Sequence, residues 1–269
     1  IMNHNITFIG GGNMASAIIG GILSSGLASK EQITATAKTT TTCSSLEERF
    51  GIHTSQNNQT AVENADIIFL AVKPFLFSEV IPEIKDHVKK DALIISIAAG
   101  QPIASIEHMF GFSIKLVRAM PNTPALVGEA MSALCINDNV IEDELSTTID
   151  IFNSFGKCEV VKESLMDVVT GVSGSSPAYV YMFIEAMADA AVADGMPRAQ
   201  AYKFAAQSVL GSAKMVLETG THPGALKDAV CSPGGTTIEA VAVLEEKGLR
   251  NSVITAQRAC VQKSKDMSK

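Results

Sequence analysis

Residues 6–15 of the chain read Ile6-Thr7-Phe8-Ile9-Gly10-Gly11-Gly12-Asn13-Met14-Ala15. The first four of these residues form a short apolar run, which predicts a buried β-strand. The next six have the spacing G-x-G-x-x-A, with Gly10, Gly12 and Ala15 in the three positions of the dinucleotide-binding fingerprint. The first glycine makes a tight turn, the second lets the backbone approach a pyrophosphate, and the small third residue lets the following helix pack on the strand. The stretch therefore predicts a Rossmann-type fold that holds phosphates at a helix N-terminus.

Short apolar runs alternate with helical stretches from this turn to about residue 160. Such an order predicts a doubly wound parallel sheet with helices on both faces. Ser44-Ser45-Leu46-Glu47 has the spacing of a capping box and predicts the start of one of these helices. The strands are expected at Ile6–Ile9, Ile33–Ala37, Asp66–Val72, Ala92–Ala98, Lys115–Ala119 and Met131–Ile136.

The pattern changes near Val161, and from Asp167 onward the sequence predicts long helices and no strand. Ser176-Pro177 predicts the N-cap and first residue of one helix, which Gly195 ends. Further helices are expected from about Pro197 to Glu218, after His222-Pro223-Gly224, after Gly235 and after Asn251. We therefore divide the chain into a dinucleotide-binding domain, residues 1–161, and an all-helical substrate-binding and dimerisation domain, residues 162–269.

Composition and charge exclude several classes of partner. The formal net charge is −7 and no basic run occurs, which argues against a nucleic-acid partner. No stretch reaches the ~18 apolar residues of a membrane span. The five cysteines are odd in number and none are in C-x-x-C spacing, so neither a disulfide framework nor a metal site is expected. Reduced thiols favour the cytoplasm.

The residues after the second strand indicate which nicotinamide cofactor is preferred. An NAD site usually places an acidic residue there, to bind the ribose hydroxyls. Here no acid occurs between Glu31 and Glu47, whereas Lys38 and its hydroxyl-bearing neighbours suit a 2′-phosphate. We expect NADPH to be preferred, with NADH as the weaker alternative.

Five segments together resemble the pyrroline-5-carboxylate reductase family, in the family's order and across nearly the whole chain. The most specific is Leu226–Thr237, which reads LKDAVCSPGGTT; the others are Ala71–Pro74, Ser96–Gly100, Arg118–Pro124 and Gly174–Tyr179. The resemblance implies reduction of 1-pyrroline-5-carboxylate to L-proline, the last step of proline biosynthesis. It also implies a homodimer or higher homo-oligomer with interwoven helical domains.

The resemblance also implies roles for matching residues. Together with Lys38, the cofactor would be bound by Gly10, Gly11, Gly12, Asn13, Met14, Asn58, Ala71, Val72, Lys73, Pro74, Ala98, Ala99 and Gly100. The substrate would be bound by Glu163, Val230, Gly235, Thr236 and Thr237. Two positions depart from the family, which often has Gly at Ser176 and Asn at Ala229. The second departure removes a polar contact, so Ala229 is not expected to be a site residue.

The glycine pair before Thr236 suggests how an anionic substrate could bind to a negatively charged protein. Thr236-Thr237-Ile238-Glu239 has the spacing of a capping box, so a helix should start there. Its amides and positive dipole end, with two hydroxyls, would form a carboxylate site without an arginine. We assign Thr237 as the catalytic residue that hydrogen-bonds the substrate. A protonated imine is a strong electrophile, so no strong general acid is expected.

Two other functions remain open at this point. A β-hydroxyacid dehydrogenase or related imine reductase shares the expected architecture, but the hydroxyacid enzymes resemble one another in a catalytic lysine on the long helix. No Lys or His occurs between Glu163 and Tyr202, which argues against alcohol–ketone chemistry. An NADP-binding sensor without catalysis would not need the intact Ser232–Thr237 stretch.

Overall fold

The computed structural model describes residues 2–268 of the chain. Eight strands form one sheet: β1 (Ile6–Ile9), β2 (Ile33–Thr36), β3 (His53–Ser55), β4 (Ile67–Leu70), β5 (Leu93–Ser96), β6 (Lys115–Met120), β7 (Ala130–Ile136) and β8 (Gly156–Val160). Their spatial order is β3-β2-β1-β4-β5-β6-β7-β8. All neighbours are parallel except β6 and β7.

The first seven α-helices are interleaved with the strands or follow them directly: α1 (Asn13–Ser24), α2 (Thr40–Phe50), α3 (Asn58–Val62), α4 (Phe77–Ile84), α5 (Ile103–Phe110), α6 (Glu142–Asn153) and α7 (Met166–Val169). Five follow without an intervening strand: α8 (Ser176–Ala193), α9 (Arg198–Thr219), α10 (Pro223–Val230), α11 (Thr236–Glu246) and α12 (Leu249–Met267). Short 3-10 turns occur at Lys30–Gln32, Pro74–Leu76, Thr123–Val127 and Glu163–Leu165, and a π-helical turn at Thr170–Gly174.

The sheet is doubly wound, as the sequence predicted, with helices packed on both of its faces. Side chains of alternate strand residues point to opposite faces and pack against different helices. Phe8 of β1 is directly opposite Phe69 of β4, and their rings stack with centroids 4.5 Å apart. Both belong to the core on the α1 and α6 side. Ile68 and Leu70 point to the other side, into a core shared with α4 and α5. Helices therefore cover both faces of the sheet, which parallel strands require.

The antiparallel pair of β6 and β7 departs from the expected all-parallel sheet. The two strands are joined by the 3-10 turn Thr123–Val127, with no helix between them. A parallel neighbour needs a crossover of a dozen or more residues, which this connection is too short to provide. The chain therefore folds back, and β8 then runs parallel to β7.

Several expected element starts need correction. Ser44–Glu47 lies inside α2 rather than before a helix, because Thr39 is the N-cap and its hydroxyl accepts the Thr42 amide. Ser176 is the first helical residue of α8 rather than its N-cap, because the π-helical turn leads directly into it. Helix α12 begins at Leu249, before Asn251.

The chain divides into two compact units. The first comprises the described residues up to Ser175 together with those from Cys260 onward, and the second is Ser176–Ala259. The boundary drawn from the sequence, between residues 161 and 162, falls inside the first unit. The reason is that Met166 is buried in the core on the α4 and α5 side, so the segment after Val161 packs with the sheet.

The second unit has almost no core of its own. Its buried apolar residues, among those the structure describes, are Ala188, Ala201 and Ala205, located on α8 and α9. Large apolar side chains are instead exposed on α8, α9, α11 and α12: Val180, Tyr181, Met182, Phe183, Tyr202, Phe204, Leu210, Met215, Val216, Leu217, Ile238, Val243, Leu244, Leu249, Val253 and Ile254. We call these sixteen residues the apolar helical surface.

Across residues 2–268, no helix has both the length and the apolar character needed to cross a membrane. The five cysteines are all free thiols. No three His, Cys, Asp or Glu side chains are grouped so as to hold a metal ion in the part of the chain that the structure describes.

Candidate active site

A cleft of about 780 Å³ lies at the carboxyl ends of β1, β2, β4 and β5. This is the edge at which open α/β sheets bind ligands. The cleft brings together thirteen of the fourteen residues that the sequence assigns to the cofactor: Gly10, Gly11, Gly12, Asn13, Met14, Lys38, Asn58, Ala71, Val72, Lys73, Pro74, Ala98 and Ala99. Gly100, the fourteenth, is outside the lining and makes the left-handed turn after them, with φ of +70°.

Gly10 and Gly12 are glycines for different physical reasons. Gly10 has a φ of +106°, and a Cβ built there would lie 2.7 Å from the carbonyl oxygen of Ala71. The fold itself therefore requires glycine at position 10. A Cβ at Gly12 would meet no atom of the described residues within 4 Å, although Gly12 lines the cleft. The protein leaves this space open, which fits a position where a ligand approaches the backbone.

The N-terminus of α1 has the properties of a phosphate site. Gly12 is its N-cap, and no side chain within residues 2–268 accepts a hydrogen bond from the first-turn amides. These amides and the positive end of the helix dipole are available to an anion at the cleft. Ala15, the third fingerprint residue, is buried, so the helix packs closely on the sheet.

The region beyond β2 carries positive charge and hydroxyl groups. Lys38 is exposed at the cleft, and its backbone carbonyl accepts a hydrogen bond from Gln56 Nε2 at 2.8 Å. The hydroxyl of Thr36 is turned inward, where it accepts the Gly10 amide at 3.2 Å. Lys73 is also exposed at the cleft, and neither Asp nor Glu lines it in the part described. The lining therefore suits a polyphosphate.

Sequence reasoning missed several residues that line the cleft: Thr42, Gln56, Leu76, Val80, Ile97 and Leu126. Gln56 directly follows β3, whose polar residues give no strand pattern. Had that strand been predicted, its carboxyl end would have indicated the position of Gln56. Val80 lies in α4 and Ile97 directly follows β5, so their apolar pattern is that of any buried element. Leu76 and Leu126 lie in 3-10 turns, where a single leucine carries no signal for a site.

Glu163 lies in the first unit, outside the lining of the cofactor cleft. Its Oε1 accepts the Ile103 backbone amide at 2.7 Å and Arg118 Nη1 at 3.0 Å. The arginine side chain is 9% exposed and the glutamate side chain 38% exposed. Sequence reasoning named Glu163 but not its partner, which is 45 residues earlier in the chain.

Cys135 is the residue of β7 opposite Arg118, and its thiol is buried. Burial, and to a smaller extent the charge of Glu163, raises the pKa of this thiol to about 11, and Arg118 partly opposes the rise. Cys135 is therefore a neutral apolar neighbour of the ion pair rather than a nucleophile.

Thr236, Thr237 and Gly235 lie at the N-terminus of α11 in the second unit. The expected capping box does not form, because Gly235 is the N-cap and Thr236 is already helical. Gly234, with φ of +66°, turns the chain into the helix one residue earlier than the T-x-x-E spacing suggests. The first-turn amides therefore have no side-chain cap, and the half-buried Thr237 is at the second helical position. Val230 ends α10 and is exposed.

Comparison with known proteins gives a consistent result. Residues 163–267 match the family model described as pyrroline-5-carboxylate reductase dimerisation, and residues 5–100 match the model described as NADP oxidoreductase coenzyme F420-dependent. The chain is 53% identical to the pyrroline-5-carboxylate reductase of Escherichia coli K12, with all of both chains covered.

Solved structures agree. A pyrroline-5-carboxylate reductase from Coxiella burnetii is 38% identical, covers both chains fully and superposes with a TM-score of 0.93. The Plasmodium falciparum pyrroline carboxylate reductase with NADP bound is 36% identical, with 99% of each chain covered and a TM-score of 0.88.

The fold, the cleft and these matches define an NAD(P)-dependent oxidoreductase with a Rossmann-type domain and a helical C-terminal domain. Within that class, the chain belongs to the pyrroline-5-carboxylate reductase family.

Proposed function

We propose that this chain reduces 1-pyrroline-5-carboxylate to L-proline, with NADPH as the hydride donor. The observation that carries the proposal is the 53% identity to a pyrroline-5-carboxylate reductase along the full length of both chains. The cleft supports it, because its open Gly12 turn and uncapped α1 N-terminus suit a dinucleotide. A direct test is oxidation of NADPH by the purified chain with this substrate. No substrate-dependent turnover would overturn the proposal.

The preference for NADPH rests on charge at the carboxyl end of β2. Lys38 and the Thr39 and Thr42 hydroxyls line that part of the cleft, where an NAD site would carry an acid. The Gln56 side-chain amide donates a hydrogen bond to the backbone carbonyl oxygen of Lys38, which fixes the backbone there. The ammonium group of Lys38 is exposed. A 2′-phosphate would gain a charge-assisted hydrogen bond there.

Lys38→Ala should therefore weaken NADPH binding by ~1–2 kcal/mol, the value of one exposed charged hydrogen bond. NADH binding should change by less than about 0.5 kcal/mol, because NADH has no group for the lysine to bind. Titrating each cofactor into the variant, with Lys85→Ala on the α4 side as a control, measures the difference. Equal losses for both cofactors would show that Lys38 does not bind the phosphate.

We further propose that the substrate carboxylate binds at the N-terminus of α11. The first-turn amides of this helix have no side-chain cap, and Thr237 is half-buried beside them. The amides and the helix dipole would hold the carboxylate, and the Thr237 hydroxyl would hydrogen-bond the substrate. Since the imine is protonated before reduction, these residues need to bind and orient it rather than donate a proton.

Thr237→Ala should lower kcat/KM for pyrroline-5-carboxylate by about tenfold to a hundredfold, as expected for a lost hydrogen bond to a charged group. The fold should be retained, because neither Thr236 nor Thr237 caps α11. NADPH affinity should be unchanged, because the phosphates would bind at α1. Thr255→Ala, an exposed threonine of α12, is the matched control. Near-normal kcat/KM in the Thr237 variant would contradict this placement of the substrate.

A homodimer or larger homo-oligomer completes the proposal, with the apolar helical surface as the interface. This surface coincides with the part of the chain that matches the dimerisation model. A monomer would leave an apolar area of this extent in water, which monomeric proteins rarely do. We keep the cytoplasm as the expected location, because the five cysteines are free thiols.

A further inference from the structure

An ion pair at the carboxyl edge of the sheet joins three separate elements of the first unit. Arg118 belongs to β6, Glu163 opens the 3-10 turn before α7, and Ile103 is the first residue of α5. Glu163 Oε1 accepts from both Arg118 Nη1 and the Ile103 amide, at 3.0 and 2.7 Å. The carboxylate is therefore held by a guanidinium and by a helix N-terminus at the same time.

The bonding of this carboxylate is one-sided. Both hydrogen bonds end on Oε1, and Oε2 accepts none from any residue in the range 2–268. The glutamate side chain is 38% exposed, so the second oxygen can be reached from solution, whereas Arg118 beneath it is 9% exposed. One oxygen is thus fixed by the protein while the other stays free to accept a donor.

The position of the pair relates it to the cofactor cleft. Ile103 is three residues after Gly100, so the two lie within about 11 Å of each other even if the chain between them is fully extended. Ala98 and Ala99, just before Gly100, line the cleft. The fixed carboxylate is therefore near the end of the cleft where the β5–α5 connection runs.

The pair is poorly explained by stability alone. Arg118 Nε has no hydrogen-bond partner within the described residues, so a buried guanidinium is left only partly satisfied. Replacing such a pair with apolar residues of similar size is often neutral or stabilising. A charged pair with this geometry is better explained by what its free oxygen does.

We propose that Arg118 is a positioning residue for the reaction proposed above: it holds the Glu163 carboxylate so that Oε2 accepts the N–H of the substrate's ring nitrogen. This inference rests on the proposed function. A protonated cyclic imine carries one N–H and a positive charge, and both match an oriented carboxylate. The contact would keep the nitrogen protonated and fix the ring relative to the cofactor. Arg118 itself does not touch the substrate.

The test replaces Arg118 by Met, which preserves length and removes charge, and by Lys, which preserves charge. Lys115→Met is the matched control, because Lys115 is on the same strand and pairs with Glu144, away from Glu163. Arg118→Met should lower kcat/KM for pyrroline-5-carboxylate about tenfold to a hundredfold, with the Kd for NADPH within about twofold. Arg118→Lys should recover part of the loss, and Lys115→Met should lose less than about twofold.

A double-mutant cycle separates positioning from folding. In a Glu163→Gln background, which keeps an acceptor for the Ile103 amide, Arg118→Met should cause little further loss of kcat/KM. If Arg118→Met does not fold, Arg118→Lys takes its place in the cycle with the same expectation. If the losses of kcat/KM from Arg118→Met and Glu163→Gln were additive in the double variant, the inference would be overturned.

The two proposals fail in different ways. An active wild-type chain whose Arg118 variants keep normal kcat/KM would overturn this inference alone. The inference would also be overturned if Arg118→Met and Lys115→Met lost equal amounts of kcat/KM and these losses followed the decrease in melting temperature. A wild-type chain without pyrroline-5-carboxylate reduction would overturn the proposed function and this inference with it.

Discussion

The two compact units of this chain solve the problem of burying apolar surface in opposite ways. The first unit places most of its large apolar residues inside, where Phe8, Phe69, Phe152 and Phe155 are among the side chains that are fully buried. The second unit buries three alanines, among the residues described, and exposes the apolar helical surface. The first unit is therefore complete as one polypeptide, whereas the second lacks the partner surface it needs.

The two units therefore differ in how much of their packing the sequence of a single chain specifies. A buried strand or helix of the first unit packs against elements of the same chain. The sequence of one chain therefore contains both contacting surfaces. The helices of the second unit contain only one of the two contacting surfaces, and in the proposed oligomer the other surface belongs to a further copy.

The largest effect should come from placing a charge on the apolar helical surface. Phe204 of α9 is 68% exposed, and Phe204→Glu would bury a carboxylate in the proposed interface, at a cost of about 3 kcal/mol or more. Light scattering should then report a smaller species, and activity should fall by more than tenfold. Phe112→Glu is the control, since this phenylalanine is 42% exposed in the first unit. If Phe204→Glu left the oligomeric state unchanged, the proposed contrast between the two units would be wrong at this position.

A second test compares two glycines within the complete unit. Gly10→Ala combines a left-handed backbone with a 2.7 Å contact to Ala71, and should destabilise the fold by about 2–4 kcal/mol. Gly12→Ala meets no protein atom, so the melting temperature should be retained. Its methyl group would instead occupy ligand space, and NADPH affinity should drop by at least about tenfold. A destabilised Gly12→Ala with normal NADPH affinity would reverse this assignment of the two glycines.

The smallest effect concerns acid stability of the first unit. Burial alone would raise the pKa of Asp66, but hydrogen bonds from Lys89 and from the Asn5 amide outweigh it and hold the pKa below its ordinary value. A lowered folded-state pKa stabilises the protein above the unfolded pKa, and this stability disappears as pH falls through the folded pKa, below about 4. The partly exposed pair should contribute less than about 1 kcal/mol.

Asp66→Asn should therefore flatten the acid limb of the unfolding free energy measured against pH, with little change at neutral pH beyond this small loss. Lys89→Met should have the same consequence, because it removes the other half of the pair. The effect should be independent of protein concentration, unlike that of Phe204→Glu. An acid limb identical to wild type in both variants would show that the pair does not contribute.

The sequence predicted the central strands of the sheet better than its edge strands. The bounds of β1 were predicted to the residue, and the other inner strands to within one or two residues at each end, because they are apolar on both faces. The strands missed are β3 and β8, which are the two edges of the sheet. Their residues are largely exposed or half-exposed, so they carry no apolar run to detect.

Helix starts show a different limit. S-x-x-E and T-x-x-E spacings occur at Ser44 and Thr236, yet Thr39 and Gly235 are the caps. The residue that caps a helix depends on where the backbone turns, and a four-residue spacing does not determine that.

For the candidate site, the family resemblance named most of the residues expected to bind the cofactor, and the strand-end rule agrees for those that follow a recognisable strand. Asn58 follows β3, which carries no strand pattern, so that rule does not account for it. The Arg118–Glu163 pair could not be derived this way, since neither charge has a local pattern and the contact spans 45 residues. Only the folded chain brings the carboxylate, the guanidinium and the start of α5 together.

The three small alanines inside the second unit also have a consequence for the protein in solution. If its folding depends on association, mass action makes the folded fraction a function of how much protein is present. Dilution would then lower activity per molecule, and a Tm measured at one concentration would not apply at another. A change in the expression level of this enzyme would alter the fraction of molecules that are folded and active as well as the total number of molecules.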